Sequence, residues 1–312
     1  MPALICGSFA YDNIMVFQGH FRDHILPDKI HMLNVSFLVP EMRREFGGCA
    51  GNIAYNLNML GGEALPMGTV GADFLPYMHR LEDFGIPTAH VTEVPGTLTA
   101  QAFITTDLDD NQITAFHPGA MSFAQINKIS AAPEATIGIV APDGREGMIE
   151  HAAQFVEAGI PFIFDPGQGM PMFDGEDLKR FIGQATWVTV NDYEWQLMQE
   201  RTGMTAQQVA KQVKALIVTR GAEGSRVYVG DKTIEIPTAR PSEIKDPTGC
   251  GDAYRAGLLH GLMHEWDWAI TGRVAALMGA IKIEHAGTQN HSFTAEEFKA
   301  RFHESFGMAM PD

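Results

Sequence analysis

The chain predicts an α/β fold: a mostly parallel central sheet flanked by helices, with a small second β-sheet beside it. Three observations carry this. The second half holds four short apolar runs, TIGIVAPDG, PFIFDPGQG, TWVTVND and ALIVTRG, each ending in polar or glycine-rich residues and most leading into a helical segment. That rhythm is βαβ. The runs are nearly continuous in apolar residues, as strands covered on both faces are. The first half is instead rich in short β-like pieces, at about 14–46 and 95–118.

In chain order, ALICGSFAYDN (3–13) reads as a strand ending in a polar turn. Residues 14–46 contain β-like pieces, MLNVSFLV among them, with Pro and Gly punctuation. GNIAYNLNMLGG (51–62) carries Ile53, Leu57 and Leu60 at helical spacing and stops at a glycine pair. PMGTVGAD gives a short strand and turn, with a helix near 74–84. LTAQAFITTD and NQITAFHPG alternate around LDDN (108–111), a β-hairpin pattern. After the four βα runs, SRVYVGDKTIEIPT reads as an antiparallel hairpin turning at Gly230–Asp231. Helices over 251–265, 267–285 and 294–305 close the chain. No linker divides it, so the expected organisation is one domain, 1–312, whose β-rich segments at about 14–46 and 95–118 form a lid over the open end of the main sheet.

Composition narrows the function. The 312 residues are 45% hydrophobic, enough for a substantial core. The net charge of −16, from 22 basic and 38 acidic residues, argues against nucleic acid as a partner, because phosphate neutralisation needs clustered Lys and Arg. Cys6, Cys49 and Cys250 form no CxxC pair and have no zinc spacing. Scattered thiols suit a reducing cytosol. With no basic leader and no long apolar run, a cytoplasmic protein acting on a small molecule, with no membrane partner, is expected.

Open α/β sheets bind ligands at the carboxyl ends of their strands. Asp12, Asp165, Asn191 and Thr219 end the apolar runs and are candidates on that ground, although each is also an ordinary turn or cap residue. The turn DPTGCGD (246–252) is different. Gly249, Cys250, Gly251 and Asp252 fall where a helix begins, so free backbone N–H groups and the helix dipole can hold an anion without a basic side chain. Glycines let a phosphate approach closely. A carboxylate at the same place, Asp252, can take a proton from an attacking hydroxyl. Together these supply what phosphoryl transfer to an alcohol requires. The chain lacks GxxxxGK[ST], GxGxxG and GxSxG, which sets aside P-loop, dinucleotide-binding and hydrolase-elbow readings. His260 and His264 are four apart on a helix but lack a third ligand, so they read as a packing or surface pair rather than zinc ligands.

These residues resemble the ribokinase family, the PfkB carbohydrate kinases. DPTGCGDA (246–253) is similar to the family's C-terminal signature, and FGGCAGNIAYNLNMLGG (46–62) with MGTVGAD (67–73) to its second one. NDYE (191–194) fits its Asn-x-x-Glu element, and TRGAEGS (219–225) its Thr-x-Gly-x-x-Gly nucleotide loop. The resemblance implies a ribokinase-like core with a small β lid, ATP as phosphoryl donor and magnesium as bridging ion. It implies Asp252 as catalytic base, with the amides of Gly249, Cys250 and Gly251 as anion hole. Glu194, with Asn191, would organise magnesium. Thr219, Gly221 and Gly224 would touch the nucleotide, and Asp12, Gly48 and Asn52 would hold ribose-type hydroxyls. It also implies a potassium site framed by Asp246 and the loop near Ala286–Gly287.

Sugar kinases of this family often carry Asn and Arg after the mid-chain Asp-Pro, whereas FDPGQG (164–169) has no Arg. That segment and QITAFHPGAM (112–121) look more like bacterial adenosine and purine nucleoside kinases. Phe116 either stacks on a base or belongs to the lid's own core; Phe103 is a weaker candidate for stacking, and His117 reads as a turn residue. The function expected is therefore transfer of the ATP γ-phosphate to a purine ribonucleoside. A sugar kinase is the near alternative, a silent nucleoside-binding protein on the same fold a more distant one, and an unrelated Rossmann oxidoreductase more distant still. Apolar lid strands offer a way to pair two chains as a homodimer.

Overall fold

The computed structural model describes residues 1–25, 34–109 and 111–311. The first run splits in two. β1 (Ala3–Cys6) is buried on both faces, the chain then turns at 7–9, and β2 (Ala10–Val16) starts in a different sheet. The single strand expected over 3–13 is thus corrected. The turn is fixed by the Ser8 N–H donating to Pro142 O at 3.1 Å and by buried Phe9, whose ring meets Phe74 and Tyr77 edge-on. In MLNVSFLV, residues 32–33 lie outside the described residues, and 34–39 form no strand. Leu38 there is 87% exposed: strand-forming side chains do not make a strand without a partner to pair with.

The chain continues through β3 (Met42–Gly47), α1 (Cys49–Met59), β4 (Ala64–Val70), α2 (Leu75–Asp83), β5 (His90–Glu93) and the hairpin β6 (Ala100–Thr106) and β7 (Gln112–His117). Asp110 of the expected LDDN turn lies outside the described residues. The four βα runs become β8 (Ile137–Val140), α3 (Arg145–Ala158), β9 (Phe162–Phe164), α4 (Gly175–Gln184), β10 (Trp187–Asn191), α5 (Asp192–Thr202), α6 (Ala206–Ala210) and β11 (Ala215–Thr219). The hairpin β12 (Ser225–Val229) and β13 (Lys232–Ile236) follows, then α7 (Cys250–Met263), α8 (Trp268–Ile283) and α9 (Ala295–Phe306).

The large sheet has the order β13-β12-β11-β10-β9-β8-β1-β4-β5, with every neighbouring pair parallel except β11–β12 and β12–β13. Its order reverses at β1, with β4 on one side and β8 on the other. Such a switch point opens a crevice at the strands' carboxyl ends. Successive residues face opposite layers. Ile5 and Ile139 pack with Ile53, Leu57 and Leu258 on the α1/α7 side, while Leu4 and Val140 pack with Phe155, Phe164 and Phe181 on the other. α7 and α8 approach closely because a Cβ at Gly257 would fall 2.4 Å from Ala275 Cα, so only glycine permits the contact. The small sheet has the order β3-β2-β6-β7; β2 and β6 are parallel and the outer pairs antiparallel.

Candidate active site

Gly249 caps α7 in the left-handed region, φ 79°, a conformation that glycine adopts without strain. The Cys250 N–H turns back to Pro247 O at 3.2 Å, so that amide is taken up within the turn. The N–H groups of Gly249 and Gly251 find no acceptor among the described residues. They sit at the positive end of a 14-residue helix, where an anion is favoured.

Asp252 lies in the first turn of α7, half-buried. Asn52 Nδ2 donates to Asp252 Oδ2 at 2.8 Å. The Asn52 amide is itself oriented: Gln289 Nε2 donates to Asn52 Oδ1 at 3.0 Å and to Tyr77 Oη at 2.7 Å, and the Tyr77 hydroxyl donates to Gly47 O at 2.8 Å. Burial pushes the Asp252 carboxyl up to about 6, with the Asp165 charge adding to it and the Asn52 hydrogen bond and Arg255 opposing it. A proton affinity near the working pH suits a general base.

Behind Asp252 lies a buried ion network. Arg255 Nε and Nη2 donate to the two Asp165 oxygens at 2.9 and 3.0 Å, and Arg255 Nη2 is 3.9 Å from Glu194 Oε2. Arg255 and Asp165 are 5% and 2% exposed, so neither can lose its partner cheaply. Asp165, a loop candidate from the sequence, is therefore held by Arg255. Asn191 and Glu194 form a reciprocal cap on α5: Asn191 Oδ1 accepts the Glu194 N–H at 2.7 Å, and Glu194 Oε2 accepts the Asn191 N–H at 2.8 Å. Burial, then the Asp165 charge, pushes the Glu194 carboxyl up. Asn191 lies beside Thr219 in the β10–β11 register, and the turn after Thr219 holds Gly221 and Gly224 at φ 53° and 81°. A Cβ at Gly224 would fall 2.1 Å from Ile236 O.

The small sheet brings Asp12. Gly47 leaves room for it, since a Cβ there would lie 2.6 Å from Asp12 Oδ2, and Gly48 (φ 87°) seats the entry to α1 against Ser8 O. Burial pushes Asp12 up to about 6, with the charges of Glu45 and Asp246 adding to it. The pairing register aligns Glu45, Asp12, Ala102 and Phe116 across four strands. Laterally paired residues share a face, so Phe116 stands on the Asp12 face, half exposed. Ile14 and Ile104 pair on that same face. Phe103 pairs with Asn13, and His117 with Gln101, both on the opposite face.

The rings of His260 and His264 meet at a tilt of 43° with centroids 4.3 Å apart, and His264 Nδ1 faces His260 O at 2.8 Å. Both rings also meet Trp266, a packing cluster away from Asp252. The sequence reading missed Arg255, Gln289 and Tyr77. Arg255 had a signal, standing three residues after Asp252 on one helix face. Gln289 and Tyr77 had none, because only the tertiary fold brings them to Asn52.

The profile of the "pfkB family carbohydrate kinase" family matches residues 12–295. The chain belongs to this family. This PfkB kinase is an ATP-dependent phosphotransferase with an α/β fold of the ribokinase type. It is similar to the Burkholderia thailandensis nucleoside kinase solved in complex with inosine: 53% identity, TM-score 0.90, covering 99% of this chain and 100% of that one. The same kinase solved with ADP-inosine gives 54% identity, TM-score 0.87, and coverage of 99% and 97%. A nucleoside kinase of Methanocaldococcus jannaschii is 31% identical over 83% of this chain and 85% of its own. No helix among the described residues is long and apolar enough to cross a membrane.

Proposed function

We propose that this kinase moves the γ-phosphate of ATP to the 5′-hydroxyl of a purine ribonucleoside, adenosine, inosine or guanosine, with Asp252 as general base. The observation that carries the reading is the Asp252 carboxylate, oriented by Asn52 and set at the unpartnered amide end of α7. Asp252 takes the hydroxyl proton, the freed oxygen forms the new P–O bond, and ADP leaves with the electron pair of the bond that breaks. The Gly249 and Gly251 amides, with Cys250 holding the turn, face the charge that develops. Asn191, Thr219, Gly221 and Gly224 belong to the nucleotide side.

Asp12, Gly48 and Asn52 hold the ribose hydroxyls, and paired hydrogen bonds to them reject acceptors that lack them. On the Asp12 face of the small sheet, Phe116, opposite Ala102 and diagonal to Ile104, supplies an aromatic surface for a base, and free sugars have nothing to place there. The similarity to nucleoside kinases supports the same choice. In this reading the small sheet is a lid inserted in one kinase domain, and its edge strands β3 and β7 can pair a second copy; light scattering reporting a dimer mass supports that pairing, and a strict monomer removes it.

The residues also fit magnesium. Asp165, Glu194 and Asp252 surround a single guanidinium, leaving hard carboxylate oxygens and excess negative charge where the phosphates would lie. Glu194 and Asn191 would hold its water shell, and the ion, when bound, neutralises phosphate charge.

The test is an ATP-consumption screen with magnesium over adenosine, inosine, guanosine, cytidine, ribose and fructose, with product mass confirmed. Purine nucleosides converted to 5′-monophosphates support the reading. Turnover of free sugars alone overturns the acceptor assignment, and turnover of none favours a silent binding protein.

A further inference from the structure

Below the 246–252 turn lies a buried ammonium that the chemistry above does not use. Lys282, in the last turn of α8, is completely buried. Its Nζ donates to Asp246 O at 2.8 Å and to His285 O at 3.0 Å. The first carbonyl opens the anion turn. The second opens the loop that carries Thr288, which packs under Gly249, and Gln289, which orients Asn52. An unpaired ammonium is strongly disfavoured in such a place. Here it has carbonyl acceptors, the negative end of α8 and the nearby Asp246 charge, which opposes the downward pull of burial on Lys282.

The sequence resemblance implies potassium at this place, and the residues do not fit a free ion. The Asp246 carbonyl already faces Lys282 Nζ. The Asp246 carboxylate is also engaged, Oδ1 accepting the Thr248 N–H and Oδ2 the Gly287 N–H, both at 2.9 Å. An ammonium group and a potassium ion have nearly the same radius, and both are bound by carbonyl oxygens.

We propose that Lys282 is a built-in monovalent cation: its ammonium ties the anion turn to the 285–289 loop, and the kinase therefore works without potassium. Lys282 is a positioning residue. The inference rests on the phosphate-binding role given to the turn above, but its readouts do not all need turnover.

The experiment compares the wild type and Lys282→Ala in potassium, ammonium and choline chloride at equal ionic strength, reading kcat with inosine and Tm without substrate. The wild type should show the same kcat and the same Tm in all three salts. Lys282→Ala should lose about 10²-fold in kcat in choline, as misplaced catalytic groups do. Potassium or ammonium should restore part of that rate and raise the variant's Tm in a saturable way. A wild type that potassium activates or stabilises overturns the proposal, whatever the variant does. So does a folded Lys282→Ala that keeps full activity in choline, or one that stays slow in every salt. If Lys282→Ala does not fold, the wild-type salt comparison decides alone. If no acceptor is turned over, the functional reading fails separately, and the Tm comparison still decides this one.

Discussion

The 246–252 turn and the Asp12 face of the small sheet meet at one site, yet they are held by different means. The turn is local. Seven consecutive residues, one left-handed glycine and one helix start place both its amides and Asp252. It rests on buried charge, with Arg255 against Asp165 and Glu194 on one side and Lys282 on the other. The Asp12 face is assembled from four strands by register, and its outer strand, β7, is exposed along its whole length. The contrast suggests a division of labour. In the proposed function the fixed half carries the chemistry, which tolerates little displacement, and the open half carries acceptor recognition, where a change would alter preference before it alters rate.

Four perturbations test this contrast between the two halves. Arg255→Ala leaves Asp165 and Glu194 buried without their cation and should cost about 3–5 kcal/mol, read by urea denaturation. A loss near zero would mean the network is not what fixes this half. Gly48→Ala forces a side chain to φ 87° and onto Ser8 O, at a cost of about 1–3 kcal/mol in the same assay; a neutral outcome would show that the entry to α1 relaxes.

The third is the pH dependence. Asp252 and Asp12 are both pushed up to about 6, mainly by burial. Protonation removes the base and a hydroxyl acceptor, so kcat/KM should rise with pH through that value and level off above it. The limb belongs to the coupled site rather than to one residue. Glu45→Gln removes the largest charge acting on Asp12, so the part of the limb due to Asp12 should move to lower pH; an unmoved limb would assign it to Asp252 alone. The smallest effect is Phe116→Ala, which should weaken purine nucleoside binding by about 0.5–1.5 kcal/mol and leave Tm alone, the ring being 50% exposed. Phe103→Ala, on the opposite face, serves as the control. Equal effects of the two would remove Phe116 from the base-binding surface.

The same contrast explains what the sequence revealed. The βα runs and the closing helices were legible because each is a continuous stretch with its own stop signal. The turn was legible because its chemistry is contiguous. The break at Gly7–Phe9 was not, since ALICGSFAY is nearly continuous in apolar and small residues up to the polar end at Asp12–Asn13, and only the pairing of Cys6 with Val140 and of Ala10 with Gly47 sends the two parts into different sheets. MLNVSFLV misled because strand propensity says nothing about an available partner. Gln289, Tyr77 and the buried Lys282 stayed hidden because their roles arise from distant segments meeting under the turn. Phe116 was visible as an aromatic in a hairpin, but its face was decided by register alone.

The most direct measurement is the comparison of Asp252→Asn with the wild type, by steady-state turnover of inosine and by calorimetric binding of inosine and ATP. Asp252→Asn should lower kcat by about 10²–10⁴-fold, the range for a lost general base, with both ligands bound nearly as before. Near-normal turnover by Asp252→Asn would contradict that role.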